Sequence, residues 1–355
     1  MTSPILAASC ARCGARYPEA GLPDLCPACG GFWVYPTGLR WGPPSEGTGL
    51  RRWAGALGLE PEELPEREVG RGAEVLEGVS VVQEGSSPEG TFKERGAEAL
   101  AAVCARRGLS EVFLDSSGNA GLAVAAACAA RGIACRVLVP ESTPPDKLRR
   151  LAVTGAAVEV VPGDRRATAD AARELRRRLP YASHVYQPFF HAGVATVAWE
   201  IDERLARTGG GRIDRVLLPA GNGSLLLGLA LGFDALVAAG RLAAAPALHA
   251  VQLAGYASLA PGGPGPKPPT PPDATGIAVA DPPRRAEMAA AIARTGGDVT
   301  VVSEEEIARA RAELAERPEA GGFPTDPTGA AAWAGLRKRP DLRRPGTLVV
   351  LTSRA

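Results

Sequence analysis

Residues 86–100 read SSPEGTFKERGAEAL: a glycine-bearing turn, then Phe92, then a single lysine, Lys93, where a helical run begins. The chain has four lysines against thirty-six arginines, so its surface cations are nearly always arginine. A lysine at a turn-to-helix junction in such a chain points to work that arginine does not do. Arginine stays protonated, whereas a partly buried lysine can lose its proton and form a Schiff base. The bland alternative is a solvated lysine at a helix start.

Outward from this junction the chain alternates. Strand-like runs at 111–115, 134–140, 157–163, 215–219, 247–253, 298–303 and 346–353 are separated by helical runs. The helical runs cover 119–132, 145–155, 167–179, 194–207, 224–240, 283–296, 304–317 and 327–339, after a first helix that follows Lys93. Strands alternating with helices predict an α/β fold with parallel sheets covered on both faces. Several strands are apolar throughout, as buried parallel strands are. Residues 257–276, ASLAPGGPGPKPPTPPDATG, read as an exposed and partly extended loop.

The length of 355 residues suits two domains or one large α/β unit, and 45% hydrophobic content supports a sizeable core. A net charge of +1 gives no reason to expect a nucleic acid or a membrane as partner. No apolar run approaches the ~20 residues of a membrane span. The N-terminal MTSPILAASCARCG lacks a basic start and a long apolar core, so the expected compartment is the cytoplasm, where cysteines stay reduced.

Four cysteines near the N-terminus, Cys10, Cys13, Cys26 and Cys29, form two C-x2-C knuckles separated by twelve residues. Such knuckles can place four thiolates tetrahedrally around Zn²⁺ at about 2.3 Å. With all four ligands sulfur the site has no open position, so its expected role is structural. The competing reading is two redox or disulfide pairs. Cys104, Cys128 and Cys135 lie on apolar positions and read as core residues.

Two polar, glycine-bearing loops follow strands and open helices, which is where open α/β sheets bind ligands. One is DSSGNAG at 115–121, the other PAGNGSLLLG at 219–228. The second is the better anion cradle, because Gly221, Asn222, Gly223, Ser224 and Leu225 can turn successive backbone N–H groups toward a phosphate at a helix N-terminus. Neither loop matches the Walker A or dinucleotide patterns. A phosphate loop, a lone helix-entry lysine and a second polar loop in one α/β chain suggest pyridoxal phosphate.

Five motifs in order carry a resemblance that covers almost the whole chain. SPEGTFKERG, SSGNAG, PAGNGS, DPTGAAAWAGL at 326–336 and VVLTS at 349–353 are together similar to the threonine synthase family of fold type II pyridoxal-phosphate enzymes, with an N-terminal zinc ribbon. The resemblance implies two parallel-sheet three-layer domains plus the ribbon. It places the ribbon at 1–40, a large cofactor-binding domain at 41–95 and 190–355, and a small mobile α/β domain at 96–189. It implies Lys93 as the Schiff-base lysine, Asn119 beside the cofactor's phenolic oxygen and Thr352 at the pyridine nitrogen. Ser116, Ser117, Gly118 and Thr91 are the implied substrate contacts. The implied activity is that of a lyase of amino-acid biosynthesis acting on a small-molecule substrate, O-phosphohomoserine, to give threonine and phosphate, in a chain expected to form a homodimer.

The chain also departs from the family pattern. Glu89 stands where the family has threonine, and the chain ends three residues after Thr352. Between 183 and 200 it reads SHVYQPFFHAGVATVAWE, so His191 to Ala195 stand in the place where the family it resembles has E-G-Q-K-T, with neither its lysine nor the preceding arginine. A substrate phosphate wants cationic or multiple N–H donors. The second expectation is therefore another pyridoxal-phosphate elimination or replacement enzyme, of the serine/threonine dehydratase kind or a specialised amino-acid synthase. A non-catalytic binding module is the third, and the retained Lys93 argues against it.

Overall fold

A computed structural model describes residues 3–66, 70–208, 211–317 and 323–354. In chain order its elements are β1 (Ser9–Cys10), β2 (Trp33–Val34), α1 (Ala54–Leu57), β3 (Arg71–Leu76), β4 (Val79–Gln83), α2 (Lys93–Arg106), β5 (Glu111–Leu114), α3 (Asn119–Ala129), β6 (Ala134–Pro140), α4 (Pro145–Val153), β7 (Ala157–Val161) and α5 (Arg165–Leu175). They continue with α6 (Pro188–Thr208), β8 (Arg215–Pro219), α7 (Ser224–Ala238), β9 (Ala247–Leu253), α8 (Arg285–Thr295), β10 (Val299–Val302), α9 (Glu304–Ala315), α10 (Pro327–Lys338) and β11 (Thr347–Leu351). The chain divides into two compact units: Met1–Arg67 with Lys93–Gly193, and Glu68–Phe92 with Val194–Ala355.

The first unit is built on a three-stranded parallel sheet in the order β5-β6-β7. Helix α2 is alanine-rich, and every residue from Glu94 to Cys104 is buried. A helix covered nearly all round needs small side chains for close neighbours. Gly96 shows why: a Cβ there would run into the Phe190 ring. Cys104, Cys128 and Cys135 are buried and unbridged, as expected of core positions.

Residues 41–66 group with this first unit, not with the second unit as the expected large domain had it. Trp53 and Leu57 are buried. Arg106 donates to the Gly58 carbonyl at 2.9 Å, and Arg131 donates to the Glu63 carbonyl at 2.6 Å while pairing with Glu98 at 2.7 Å. These charge-assisted bonds fasten the segment to the ends of α2 and α3. The N-terminal forty residues belong to the same unit, with the Arg107 guanidinium 4.9 Å from the Tyr17 ring and 5.2 Å from the Phe189 ring.

The second unit holds a six-stranded sheet in the order β10-β9-β8-β11-β4-β3, parallel except for β3, which runs antiparallel to β4. Central β11 is buried at every residue. Both neighbours of β11 run parallel to it, so β4, β8 and β11 finish at the same edge of the sheet. The β3–β4 hairpin lies outside the strands read from the sequence. It turns at Glu77 (φ 51°) and Gly78 (φ 81°), the paired positive dihedrals of a tight hairpin. Glu77 tolerates this conformation while its carboxylate pairs with Arg317, Arg337 and Arg343. Hydrogen bonds from Arg337, opposed by burial and reinforced by Arg317, hold its pKa down at about 2.

Helix α6 starts at Pro188, six residues before the expected start at 194. Proline suits a first helical turn because its missing N–H is not needed there. Residues 188–193, ahead of the expected helix, are helical, and Gly193 among them lies so close to the Arg95 carbonyl that a Cβ would collide. The 257–276 segment is mostly exposed from 261 onward, but its start is pinned: Leu259 N–H donates to Gln252 at 2.9 Å and Gly255 N–H to Pro264 at 2.9 Å. No described helix is long and apolar enough to cross a membrane.

Candidate active site

In the second unit, the loop after β8 carries Gly221, Asn222, Gly223, Ser224 and Leu225 into α7. Gly223 is the residue before the helix and adopts φ 86°, and no side chain caps the helix. The first helical hydrogen bond runs from Leu227 N–H to Gly223 O at 2.9 Å, so the N–H groups ahead of it are not used by the helix. Together with the positive end of the helix dipole this is an anion cradle. Both glycines are required sterically. A Cβ on Gly221 would collide with the Gly276 carbonyl, and one on Gly223 with the Met288 sulfur.

Thr352 follows β11, the strand beside β8, so the fold delivers it to the same sheet edge as the cradle. Thr352 is 2% exposed. Its carbonyl accepts from Phe92 N–H at 3.0 Å, Arg354 N–H donates to Gly90 at 2.9 Å, and Thr91 bridges Ser353. The final residues thus clasp the segment that leads to Lys93. On the other side, Thr325 Oγ1 donates to the Ser353 carbonyl at 2.6 Å. Glycine is needed here too, since a Cβ on Gly85 would strike the Arg354 backbone. Thr91 is buried within the clasp, with its N–H on Ser87 Oγ at 3.1 Å. Ser353 and Arg354, which complete this clasp, were given no role in the sequence reading.

In the first unit, Lys93 is the half-buried first residue of α2. Ser116, Ser117, Gly118 and Asn119 follow β5 and open α3, all partly exposed. Helices α2 and α3 pack against each other. The loop turns tightly onto α3: a Cβ on Gly121 would meet the Ser116 carbonyl. Asp115, just before the loop, was missed by sequence reasoning. Its carboxylate accepts the Tyr181 hydroxyl and pairs with Arg165 at 2.7 Å. His184 was missed too. Burial first, then the charges of Lys93 and Arg165, push its pKa well below the usual value, so it stands neutral beside Lys93. His191, the first residue of the stretch that departs from the family pattern, is buried on α6.

The Sγ atoms of Cys10, Cys13, Cys26 and Cys29 all lie within 4.8 Å of one another, and none forms a disulfide. Tetrahedral zinc with bonds of about 2.3 Å separates its sulfurs by about 3.8 Å. Cys10 to Cys29 at 3.4 Å and Cys13 to Cys26 at 3.7 Å are close to that. Gly31 leaves room for the Cys10 sulfur, 2.6 Å from where its Cβ would be. The donor set fits the ion.

The sequence profile of a family described as "Pyridoxal-phosphate dependent enzyme" matches residues 66–353. A threonine synthase of Mycobacterium leprae is 30% identical over 262 residues, 73% of this chain and 70% of the relative. The L-serine dehydratase/L-threonine deaminase of Mus musculus is 33% identical over 162 residues, 44% of this chain and 48% of the relative. The chain spans 64% to 70% of the threonine synthases it matches. Among solved structures, the processed form of threonine deaminase isoform 2 from Solanum lycopersicum superposes with a TM-score of 0.64 at 21% identity, covering 81% of this chain and 85% of its own; at that identity the likeness speaks for the fold.

Proposed function

As a member of the threonine synthase family of fold type II pyridoxal-phosphate dependent enzymes, this chain, we propose, converts O-phosphohomoserine to threonine and phosphate. The observation that carries the reading is the sheet edge of the second unit, where adjacent parallel strands end in an uncapped anion cradle and in Thr352. The same strand end clasps the backbone that leads into Lys93. Bound pyridoxal phosphate would supply the electron sink for charge that develops on the amino-acid α-carbon.

The chain's own residues divide the remaining work. Gly221, Asn222, Gly223, Ser224 and Leu225 would hold the cofactor phosphate through backbone N–H groups and the Ser224 hydroxyl. Thr352, a neutral hydroxyl, is assigned to the pyridine nitrogen, where it does not enforce protonation as a carboxylate would. Asn119 is assigned to the phenolic oxygen. Lys93 would anchor the cofactor and then, with substrate bound, take the α-proton as general base. A neutral His184 adds no positive charge beside that amine. Ser116, Ser117 and Gly118 would cradle the substrate carboxylate, and Thr91 adds a hydroxyl. Four cysteines would hold one zinc ion in a structural role, since four sulfur ligands leave no open position.

A second reading, a dehydratase or replacement enzyme on serine- or threonine-like amino acids, is favoured by one observation. Phe189, Phe190, Ala192, Val194 and Ala195 are fully buried and apolar, so this part of α6 offers no lysine or arginine to a substrate phosphate. The mouse dehydratase relative is consistent with that reading. Phosphate release from O-phosphohomoserine, measured beside ketoacid release from serine and threonine on one batch, decides between them. Phosphate with threonine as product supports the first reading. Ketoacid from serine or threonine alone moves the protein to the second.

A further inference from the structure

Within the first unit, a run of buried hydrogen bonds leads from the cysteine knuckles to the loop after β5. Tyr17 lies between Cys13 and Cys26, and its one hydroxyl proton is shared between Gln187 Oε1 at 3.0 Å and the Pro23 carbonyl at 2.9 Å. Gln187 Nε2 donates to the Leu22 carbonyl at 3.3 Å and to the Tyr181 carbonyl at 2.9 Å. Both donors and the oxygen of one amide are thus engaged between regions 165 residues apart in sequence. Tyr181 is bridged to Phe113 of β5 and stacks on its ring at 4.8 Å. Its hydroxyl donates to the Asp115 carboxylate, and the next residue is Ser116.

The linking groups are shielded from water: Gln187 is 0%, Tyr17 5% and Tyr181 7% exposed. Each bond therefore has no ready solvent substitute if its partner moves. The cysteine end is also the one that can change state. A short knuckle segment with few apolar residues orders when it binds metal and loosens without it.

We propose that Gln187 and Tyr181 are positioning residues that carry the folded state of the four-cysteine segment to the Ser116–Asn119 loop, so that metal at the cysteines sets how firmly this loop is held. The inference rests on the metal reading of the cysteines and on no particular substrate. Its physical content is a coupling between two sites, typically worth roughly 5- to 150-fold in an equilibrium.

The test is backbone hydrogen exchange on the full-length chain, zinc-loaded and chelator-stripped, read without substrate. In the unsubstituted protein, stripping should speed exchange in 10–34 and also in 113–122, the latter about tenfold, while 224–238 stays unchanged. In Gln187→Leu the 113–122 segment should already exchange fast with metal bound, and stripping should add less than about twofold. Tyr17→Phe removes one hydroxyl while keeping the ring against Phe189, and it serves the same comparison if the leucine variant does not fold. A loop whose exchange ignores stripping overturns the proposal. So do effects of substitution and stripping that multiply independently, or zinc-free cysteines in protein purified without chelator.

Discussion

Two loops of this molecule look alike in sequence and are held by different physics. PAGNGS and DSSGNAG each follow a strand, carry glycines and open a helix. The first is fixed by backbone contact: Gly221 is pressed against Gly276, and Gly223 sits at φ 86° beneath Met288. At the second, Gly118 has open space where a Cβ would be and an ordinary φ of −101°. Its shape depends instead on Asp115, held by Tyr181 and Arg165, and on the close packing of Gly121 under Ser116. A cradle for a resident anion can be rigid by construction. The loop proposed to receive and release substrate is held by side chains that respond to their surroundings.

The sharpest way to break this comparison is to add one methyl group to each loop. Gly223→Ala forces a left-handed backbone and a clash, which should cost on the order of 1–3 kcal/mol and weaken cofactor retention markedly. Gly118→Ala should stay within about 0.5 kcal/mol of the parent protein. Urea unfolding of the two variants, with cofactor absorbance after dialysis, gives the result. Equal costs would mean that the two loops are held in the same way.

Tyr181→Phe sharpens the other half. It keeps the stack on Phe113 but leaves the Asp115 carboxylate short of one buried donor, at a cost of about 1–3 kcal/mol. The expected kinetic signature is a raised KM for the amino-acid substrate with the cofactor spectrum unchanged. A lost cofactor spectrum with unchanged KM would place the role of Tyr181 elsewhere.

The comparison also explains what the sequence made legible. Strands 134–140, 215–219 and 247–253 were readable to the residue, because continuous apolar runs between helices have few other destinations. The cradle was readable because its function lies in backbone and glycine. The β3–β4 hairpin was not read as strand: RGAEVLEGVSVVQ mixes glycine and glutamate into its runs, and it is fixed by pairing with β11, far away in sequence. The start of α6 was hidden by Gly193, whose reason is a close approach to Arg95. Gln187 and Asp115 gave no local signal, since their partners are long-range: Tyr17 lies 170 positions from Gln187.

A smaller effect than that at Gly223 lies at the hairpin turn of the second unit. The Glu77 pKa is held at about 2, below the ordinary 4.5, chiefly by hydrogen bonds from Arg337. A lowered folded-state pKa contributes stability that is complete above about pH 4.5 and is lost as pH falls toward 2. Glu77→Gln should therefore cost about 1 kcal/mol at neutral pH, a modest figure because the pairs are partly exposed, and nearly nothing at pH 2. Thermal unfolding of both proteins across that range checks it. A difference that grows toward acid would contradict the sign.

The central claim is that Lys93, the residue after the clasped segment 90–92, is the residue that holds pyridoxal phosphate. Borohydride reduction of the reconstituted protein, followed by peptide mapping, tests it most directly. The account predicts a yellow protein whose reduced cofactor is found on the peptide that contains Lys93. A label on Lys147, Lys267 or Lys338, or no visible absorbance after reconstitution, would contradict it.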